Sequence, residues 1–363
     1  MQRALIIIVM VVLVIAAITA GALAAHWPFW QRAWQWHVAT VASPEGGWPE
    51  KLDGPTRTLQ PATQPMALSI AVDPSLLPGS QVMGTTHLLV ANADGRTRAH
   101  FAAGVDARTP VDGRGLSSGL LVFLYGALMQ SGRTNLLDES VGISLTQWQG
   151  DPRGAITPRQ LFWQLSGLAG GPFRPLNPFS PLAQLASGPD FRRAVLRTPL
   201  RYPPGSHFTA STANAQLLAL AASQHSGESH ADALEQYLWS RVAAEPAEGV
   251  LDRRRGELAA HCCFSASAGD WLRLGLLLAN HGRSGNQQIL PPDFVEEVAT
   301  ASAVNPGQGL GFQVTAGADG KRLLQLATTG RRLMVAPDAG RALLWVGIGE
   351  PPAGLADLLL QGQ

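Results

Sequence analysis

Residues 113–132 read Gly-Arg-Gly-Leu-Ser-Ser-Gly-Leu-Leu-Val-Phe-Leu-Tyr-Gly-Ala-Leu-Met-Gln-Ser-Gly: a small, glycine-rich entry followed by an unbroken apolar run from Leu120 to Met129. A helix that is hydrophobic on every side belongs inside a domain. Gly132 falls where a left-handed stop is wanted, and the glycines and serines before Leu120 suit a crowded helix entry. Residues 113–132 are therefore read as a central, buried helix, and its flanks must supply the layers that cover it.

Both flanks read as strands. Upstream, His87–Ala93 and Thr97–Gly104 are short apolar runs around Asp94-Gly95, the dipeptide favoured in tight hairpins. At the far end, Gly311–Ala316, Leu323–Thr328, Leu333–Ala336 and Ala342–Ile348 are strand-like, with turns at Asp319-Gly320 and Asp338-Ala339-Gly340, and a closing helix over 354–361. Between the ends the signals are helical. Thr157-Pro158-Arg159-Gln160 combines a cap residue, proline at the first helical position and a glutamine three after the cap. Ala213–Gln224, Ser267–Asn280 and Pro292–Ala301 follow, with Gly227 and Gly282 near the expected stops. The expected fold class is α+β: an antiparallel sheet from both chain ends (85–135 and 255–363), flanked by helices, with a mainly helical part, 136–254, between them.

The chain has 363 residues, is 46% hydrophobic and 15% charged, and has a net charge of +1. It can bury a large core, and its arginine clusters are short and scattered, which argues against a nucleic-acid partner. Residues 4–25 form an uncharged apolar run preceded by Arg3 and followed by Trp27, Trp30, Trp34 and Trp36. That pattern predicts a transmembrane helix with a cytoplasmic N-terminus, an interfacial tryptophan belt and an extracytoplasmic, periplasmic body. A cleaved signal peptide is the competing reading, since Ala22-Leu23-Ala24 makes an A-x-A-like site. The prolines at 44, 49, 55, 61, 65, 74 and 78 present 26–84 as an extended juxtamembrane segment holding the body off the membrane. Cys262 and Cys263 are adjacent, and neighbouring cysteines rarely meet disulfide geometry. With His261 they have no partner cluster of metal ligands, so they read as buried packing residues; no metal and no cofactor is expected.

Several elements, in order, resemble the penicillin-binding-protein and serine β-lactamase-like hydrolases, the class C-related branch included. Gly150–Thr157 with Leu161–Leu168 is similar to that family's I-T-I-R-x-L-L-x-x-x-S-G-L element, ending here in Ser166-Gly167-Leu168. Tyr202–Phe208 resembles its P-P-G-x-x-F lead-in. Phe264–Trp271 with Gly275–Asn280 resembles S-A-T-A-x-D followed by G-L-L-L-L-N, and Gln288–Pro291 matches Q-I-L-P. The resemblance covers roughly 84–350.

It is weakest at the reacting groups. The family's nucleophile helix opens S-x-x-K, the serine attacking an acyl carbon and the lysine assisting one turn on; the matching positions are Gly115 and Ser118. The second motif, Y-x-N, falls on Ala210-Ser211-Thr212, so the proton-relaying phenol is absent while Thr212 keeps a hydroxyl. The third, K-T-G, falls on Thr328-Thr329-Gly330 and lacks its cation. The resemblance implies an oxyanion hole from the backbone N–H groups of Gly115 and Arg331, able to hold a carbonyl or carboxylate without attacking it. Arg331 could add charge there or stand as an edge-strand arginine.

Gly115-Leu116-Ser117-Ser118-Gly119 also fits G-x-S-x-G, the nucleophile elbow of α/β-hydrolases. That elbow needs a buried strand before it, and 106–114 does not read as one. Three functions remain open. The first is a membrane-anchored homologue of these serine hydrolases, catalytically inactive, that binds a cell-wall peptide, an acyl ligand or an envelope protein. The second is an active esterase, amidase or peptidase using Ser117 or Ser118 with His207. The third is a structural envelope protein whose cleft is filled.

Overall fold

A computed structural model describes residues 2–42, 52–77, 84–170, 174–317 and 320–361. Pro44, Pro49, Pro78 and Asp319 lie outside them. The chain opens with helices α1 (Gln2–Ala25) and α2 (Trp27–Ala42) and strands β1 (Thr56–Leu59), β2 (Ser69–Val72), β3 (Thr85–Asn92), β4 (Arg96–Phe101) and β5 (Pro110–Asp112). A 3-10 turn, Arg114–Gly119, leads into α3 (Leu120–Gln130). Then come α4 (Val141–Ser144), α5 (Pro158–Phe162), α6 (Pro181–Ser187), α7 (Phe191–Leu196), α8 (Thr212–Ser226), α9 (His230–Leu234) and α10 (Ser240–Val242). The rest is β6 (Ala247–Val250), β7 (Phe264–Ser267), α11 (Ala268–Ala279), β8 (Arg283–Ser284), β9 (Gln287–Gln288), α12 (Pro292–Val298), β10 (Gln313–Ala316), β11 (Arg322–Thr328), β12 (Arg331–Ala336), β13 (Arg341–Gly347) and α13 (Leu355–Leu360).

The main sheet has the order β10-β11-β12-β13-β3-β4-β2, so the C-terminal strands sit beside the N-terminal hairpin, as the patterning predicts. The turn chemistry explains the register. Gly95 takes φ +86° and Asp94 accepts the Arg96 amide, closing β3 onto β4; Gly340 at φ +61° closes β12 onto β13. The sheet is antiparallel except at β2, which joins β4 in parallel. A second sheet, β1-β6-β7-β5, was not foreseen, and its strand β6 lies inside the part read as helical.

One face of the main sheet carries Leu89, Ala91, Leu333, Val335, Leu344 and Val346 into the large core with α3, α8 and α11; the opposite face packs Leu88, Met334, Leu343 and Trp345 under α13. Nine of the eleven residues of α3 are buried, from Leu120 to Leu128. Thr157 and Gln160 form the capping box that starts α5. The start of α11 is more heavily tied. Ser267 caps it, and the fully buried carboxylate of Asp270 accepts hydrogen bonds from Ser267 Oγ, the amides of Ala244 and Glu245, and Arg273 Nη1.

Two features differ from expectation. Residues 26–84 are not a bare spacer: β1 pairs with β6, β2 with β4, and α2 packs on α6. Arg32 fixes α2, its guanidinium buried and donating to the carbonyls of Asp53, Gly188 and Leu251. Prolines read as extended chain because they break local periodicity, yet they also suit strand edges and caps, as Pro74 does at a short 3-10 turn capped by Asp73. The second difference is that Cys262 and Cys263 form a disulfide between neighbouring residues. Cys263 takes φ +68°, a backbone setting that sequence spacing does not reveal.

α1 coincides with the segment expected to cross a membrane, and its described side chains over 8–21 are exposed. Among the described residues no helix is long and apolar enough to cross a membrane, so a transmembrane helix is not shown.

Candidate functional site

Gly115 is the second residue of the 3-10 turn Arg114–Gly119, half-buried, and its carbonyl accepts the hydroxyl of Ser118 at 2.8 Å. The turn is crowded from the sheet side. A β-carbon on Gly119 would meet the Cδ1 methyl of Leu326 on β11, so any larger residue there requires that side chain to shift.

Thr328 ends β11 and pairs with Arg331, the first residue of β12, across the tight turn Thr329-Gly330. Gly330 needs to be glycine twice over: its φ is +70°, and a β-carbon would strike the Gly347 carbonyl.

Two arginines stitch these segments together. Arg114 Nη1 donates to the Thr329 carbonyl at 2.8 Å, and Arg331 Nε donates to the Asp112 carbonyl at 2.9 Å, across 215 and 219 residues of sequence. Arg331 Nη1 also donates to the carbonyls of Gly330 and Gly347. Burial lowers the Arg331 pKa to about 10, with repulsion from Arg114 next and Asp112 opposing. Burial likewise pushes the Asp112 carboxyl up, against the Arg114 amide it accepts and the two guanidiniums. Arg331 is therefore neither an exposed edge arginine nor a free anion receptor: it is a clamp between the first and third motif positions.

The second motif position is built differently. Ala210 and Thr212 are exposed, while Ser211 between them is buried. Its Oγ donates to the Ala169 carbonyl, and its amide donates to Gln164 Oε1, which also accepts from Asn214 Nδ2. Ser166 Oγ then donates to Asn214 Oδ1. Among the described residues no hydrogen bond joins 210–212 to 115–118 or to 328–331. Arg114, Asp112, Gln164 and Asn214 escaped the sequence reading. Only the adjacency of Arg114 to Gly115 could have flagged one of them.

The alternative nucleophiles are engaged elsewhere. Ser117 is 2% exposed and its Oγ accepts the Phe264 amide at 3.2 Å, which ties the turn to β7. Ser118 Oγ spends its proton on the Gly115 carbonyl. His207 is exposed, bonded to Ser206 Oγ and stacked on Tyr202 at 4.4 Å. No hydrogen bond joins it to either serine. Tyr125, on α3, offers no substitute phenol, since it is fully buried and donates to the Leu218 carbonyl. Among the described residues no group of three or more His, Cys, Asp or Glu side chains could hold a metal.

The architecture matches solved structures over most of the chain. A candidate 6-aminohexanoate-dimer hydrolase from Bacillus anthracis superimposes with a TM-score of 0.70 at 18% identity, covering 84% of this chain and 88% of that one. The D-stereospecific amidohydrolase from a Streptomyces species gives 0.55 at 17%, covering 77% and 94%. A penicillin-binding-protein homologue from Caulobacter crescentus gives 0.55 at 13%, covering 76% and 91%. The chain has the β-lactamase and penicillin-binding-protein fold. At such identities the likeness carries the fold alone. No protein-family model and no curated protein matches the sequence. The sequence resemblance puts its nucleophile position in the turn Arg114–Gly119 and its third motif in the hairpin Thr328–Arg331.

Proposed function

We propose that this β-lactamase-fold chain is a membrane-attached binding or regulatory module of the cell envelope, one that holds a carbonyl or carboxylate group beside Gly115 without cleaving it. The observation that carries this reading is the state of the reacting positions. Gly115 has no side chain, Ser118 bonds to its own turn, Ala210 has no phenol, and Thr328 replaces a cation. A serine attacks only with a base beside it to take its proton, and neither Ser117 nor Ser118 is hydrogen-bonded to one. Losses within a catalytic unit are not additive, so loss of the whole unit leaves essentially no rate.

The sequence resemblance supports the ligand class, since it puts the backbone N–H groups of Gly115 and Arg331 in an oxyanion hole. The apolar run 4–25 and the exposed apolar side chains of α1 support attachment to a membrane.

The test is labelling of the full-length protein in detergent by a fluorophosphonate and by a fluorescent penicillin. The expected result is no covalent adduct with either. An adduct abolished in Ser118→Ala or Ser117→Ala would overturn the reading and make the chain an active hydrolase.

A further inference from the structure

Helix α2 presents an apolar stripe on each of its two opposite faces. Phe29, Ala33 and Trp36, with Arg32, are buried against the body. Trp27, Trp34, Val38 and Val41 recur at helical spacing on the other face, and all four are exposed, each of the tryptophans by more than half. A helix whose only job is to cap a domain is polar on its outward side. The outward stripe of α2 continues, through the α1–α2 junction, into the exposed apolar side chains of α1 from Ile8 to Ile18.

Beside that junction lies a cavity of about 470 Å³, reached from His26 at the start of α2 and walled by α6 and α7. Phe179, 92% exposed, stands at its rim with Pro178 and Pro181. Arg193 and Arg197, one turn apart on and just after α7, line it, and neither side chain has an ion-pair or hydrogen-bond partner among the described residues. The one acidic lining residue, Asp190, is occupied as the α7 cap, accepting the Arg193 amide, with Arg253 at 3.7 Å.

We infer that this face of the body lies directly on the membrane, with the Trp27–Val41 stripe and Phe179 in the interfacial layer and the Arg193–Arg197 cavity holding the headgroup phosphate of an anionic phospholipid. The inference rests on the membrane attachment proposed above and specifies its geometry. Tryptophan prefers the headgroup level, where its ring is half apolar and half wet. Two guanidiniums one turn apart match a phosphate diester, and the anionic leaflet supplies it at high local concentration. Because Arg32 locks α2 to the carbonyls of Asp53, Gly188 and Leu251, the stripe cannot swing away from the body. Membrane and body are thus held at a fixed orientation, in contrast to a body suspended on an extended spacer.

The experiment uses the full-length protein in nanodiscs of phosphatidylcholine alone or mixed with phosphatidylglycerol. Bromines near the top of the acyl chains should quench its tryptophan emission, and W27F/W34F should reduce that quenching by about twofold or more, as expected for rings at the headgroup level. Native mass spectrometry should find phosphatidylglycerol retained, with R193Q and R197Q each reducing retention by about tenfold, one charge-assisted contact apiece. Inorganic phosphate should not displace the lipid. Quenching unchanged in W27F/W34F together with retention unchanged in R193Q/R197Q, in protein that still co-floats with vesicles, would overturn this orientation while leaving the anchor standing. Failure to co-float with any vesicle would overturn both. Displacement by inorganic phosphate would overturn the lipid as occupant. Urea midpoints in detergent equal to those of the unaltered protein establish that the variants are folded.

Discussion

The frame around the motif positions and those positions themselves are built to opposite standards. In the frame, polar groups are held by several partners: Asp270 accepts from four groups, Arg331 donates to three carbonyls, and the Ser211–Gln164–Asn214 network ties the entry of α8 to 164–169. At the positions where the resemblance would put reacting groups there is a glycine, an alanine, a threonine, and a serine bonded to its own turn. Folding depends on the first set and chemistry on the second, so a chain can keep one without the other. If that separation is sound, substitutions in the frame cost stability, whereas substitutions at the reacting positions Ser118, Ala210 and Thr328 cost almost none.

The hardest blow to the frame is Asp270→Ala. It strands two amides and Arg273 at a site without solvent access, and removing one partner of a buried charged cluster costs about 4 kcal/mol. A urea midpoint that barely moved would refute the view of Asp270 as a structural hub. Next comes Arg331→Met, which keeps the aliphatic volume but removes the guanidinium from the carbonyls of Asp112, Gly330 and Gly347, of which Gly330 keeps the Gly347 amide as a donor. The expected cost is about 3 kcal/mol by urea unfolding, because buried acceptors left unmade are penalised by about 1–3 kcal/mol each and some regain water.

The frame also predicts acid sensitivity. His230 and His261 are buried, and burial lowers both pKa values to about 4, with the Leu258 backbone opposing at His230. An unfolded imidazole titrates near 6.5. On acidification the unfolded chain therefore takes up the protons first. Stability intact above pH 6.5 is lost as the pH falls toward 4, by about 2 kcal/mol per histidine between pH 7.5 and 5. Urea midpoints measured across that range should slope accordingly, and His261→Leu should flatten the slope by one proton. A pH-independent midpoint would mean the imidazoles reach water.

What could be read from the chain follows the range of the forces involved. Hairpin turns at Asp94-Gly95 and Asp338–Gly340, the capping box at Thr157 and the buried run of α3 are local, and each appears in a few neighbouring letters. The seam is not local: Arg114 and Arg331 find acceptors more than two hundred residues away, and nothing in their neighbours announces it. The docking of α2 was hidden for the same reason. Trp36 reads as a membrane-belt residue, and nothing beside Arg32 announces the carbonyls of Gly188 and Leu251 that it meets from elsewhere in the chain. Neighbouring cysteines rarely pair in ordinary backbone, and Cys263 departs from it at φ +68°. At the site, the sequence resemblance proposes the motif positions but does not say which serine serves the frame.

Ser117 and Ser118 make the finest form of the comparison, because they are neighbours of one chemical type on the two sides of the divide. Ser117 Oγ is the acceptor for the Phe264 amide inside the core, so Ser117→Ala leaves that amide unpaired and should lower stability by about 1–2 kcal/mol. Ser118 Oγ merely returns a bond to its own turn at a half-open position, and Ser118→Ala should shift the urea midpoint by no more than about 0.5 kcal/mol. Alanine keeps the β-carbon in both, so packing changes little and the difference isolates the hydroxyl. The reverse order, with Ser118 the costlier loss, would mean that its hydroxyl is held by more than its own turn. The motif position would then be part of the frame, and the division between folding groups and reacting groups would fail at the residue where it is drawn most sharply.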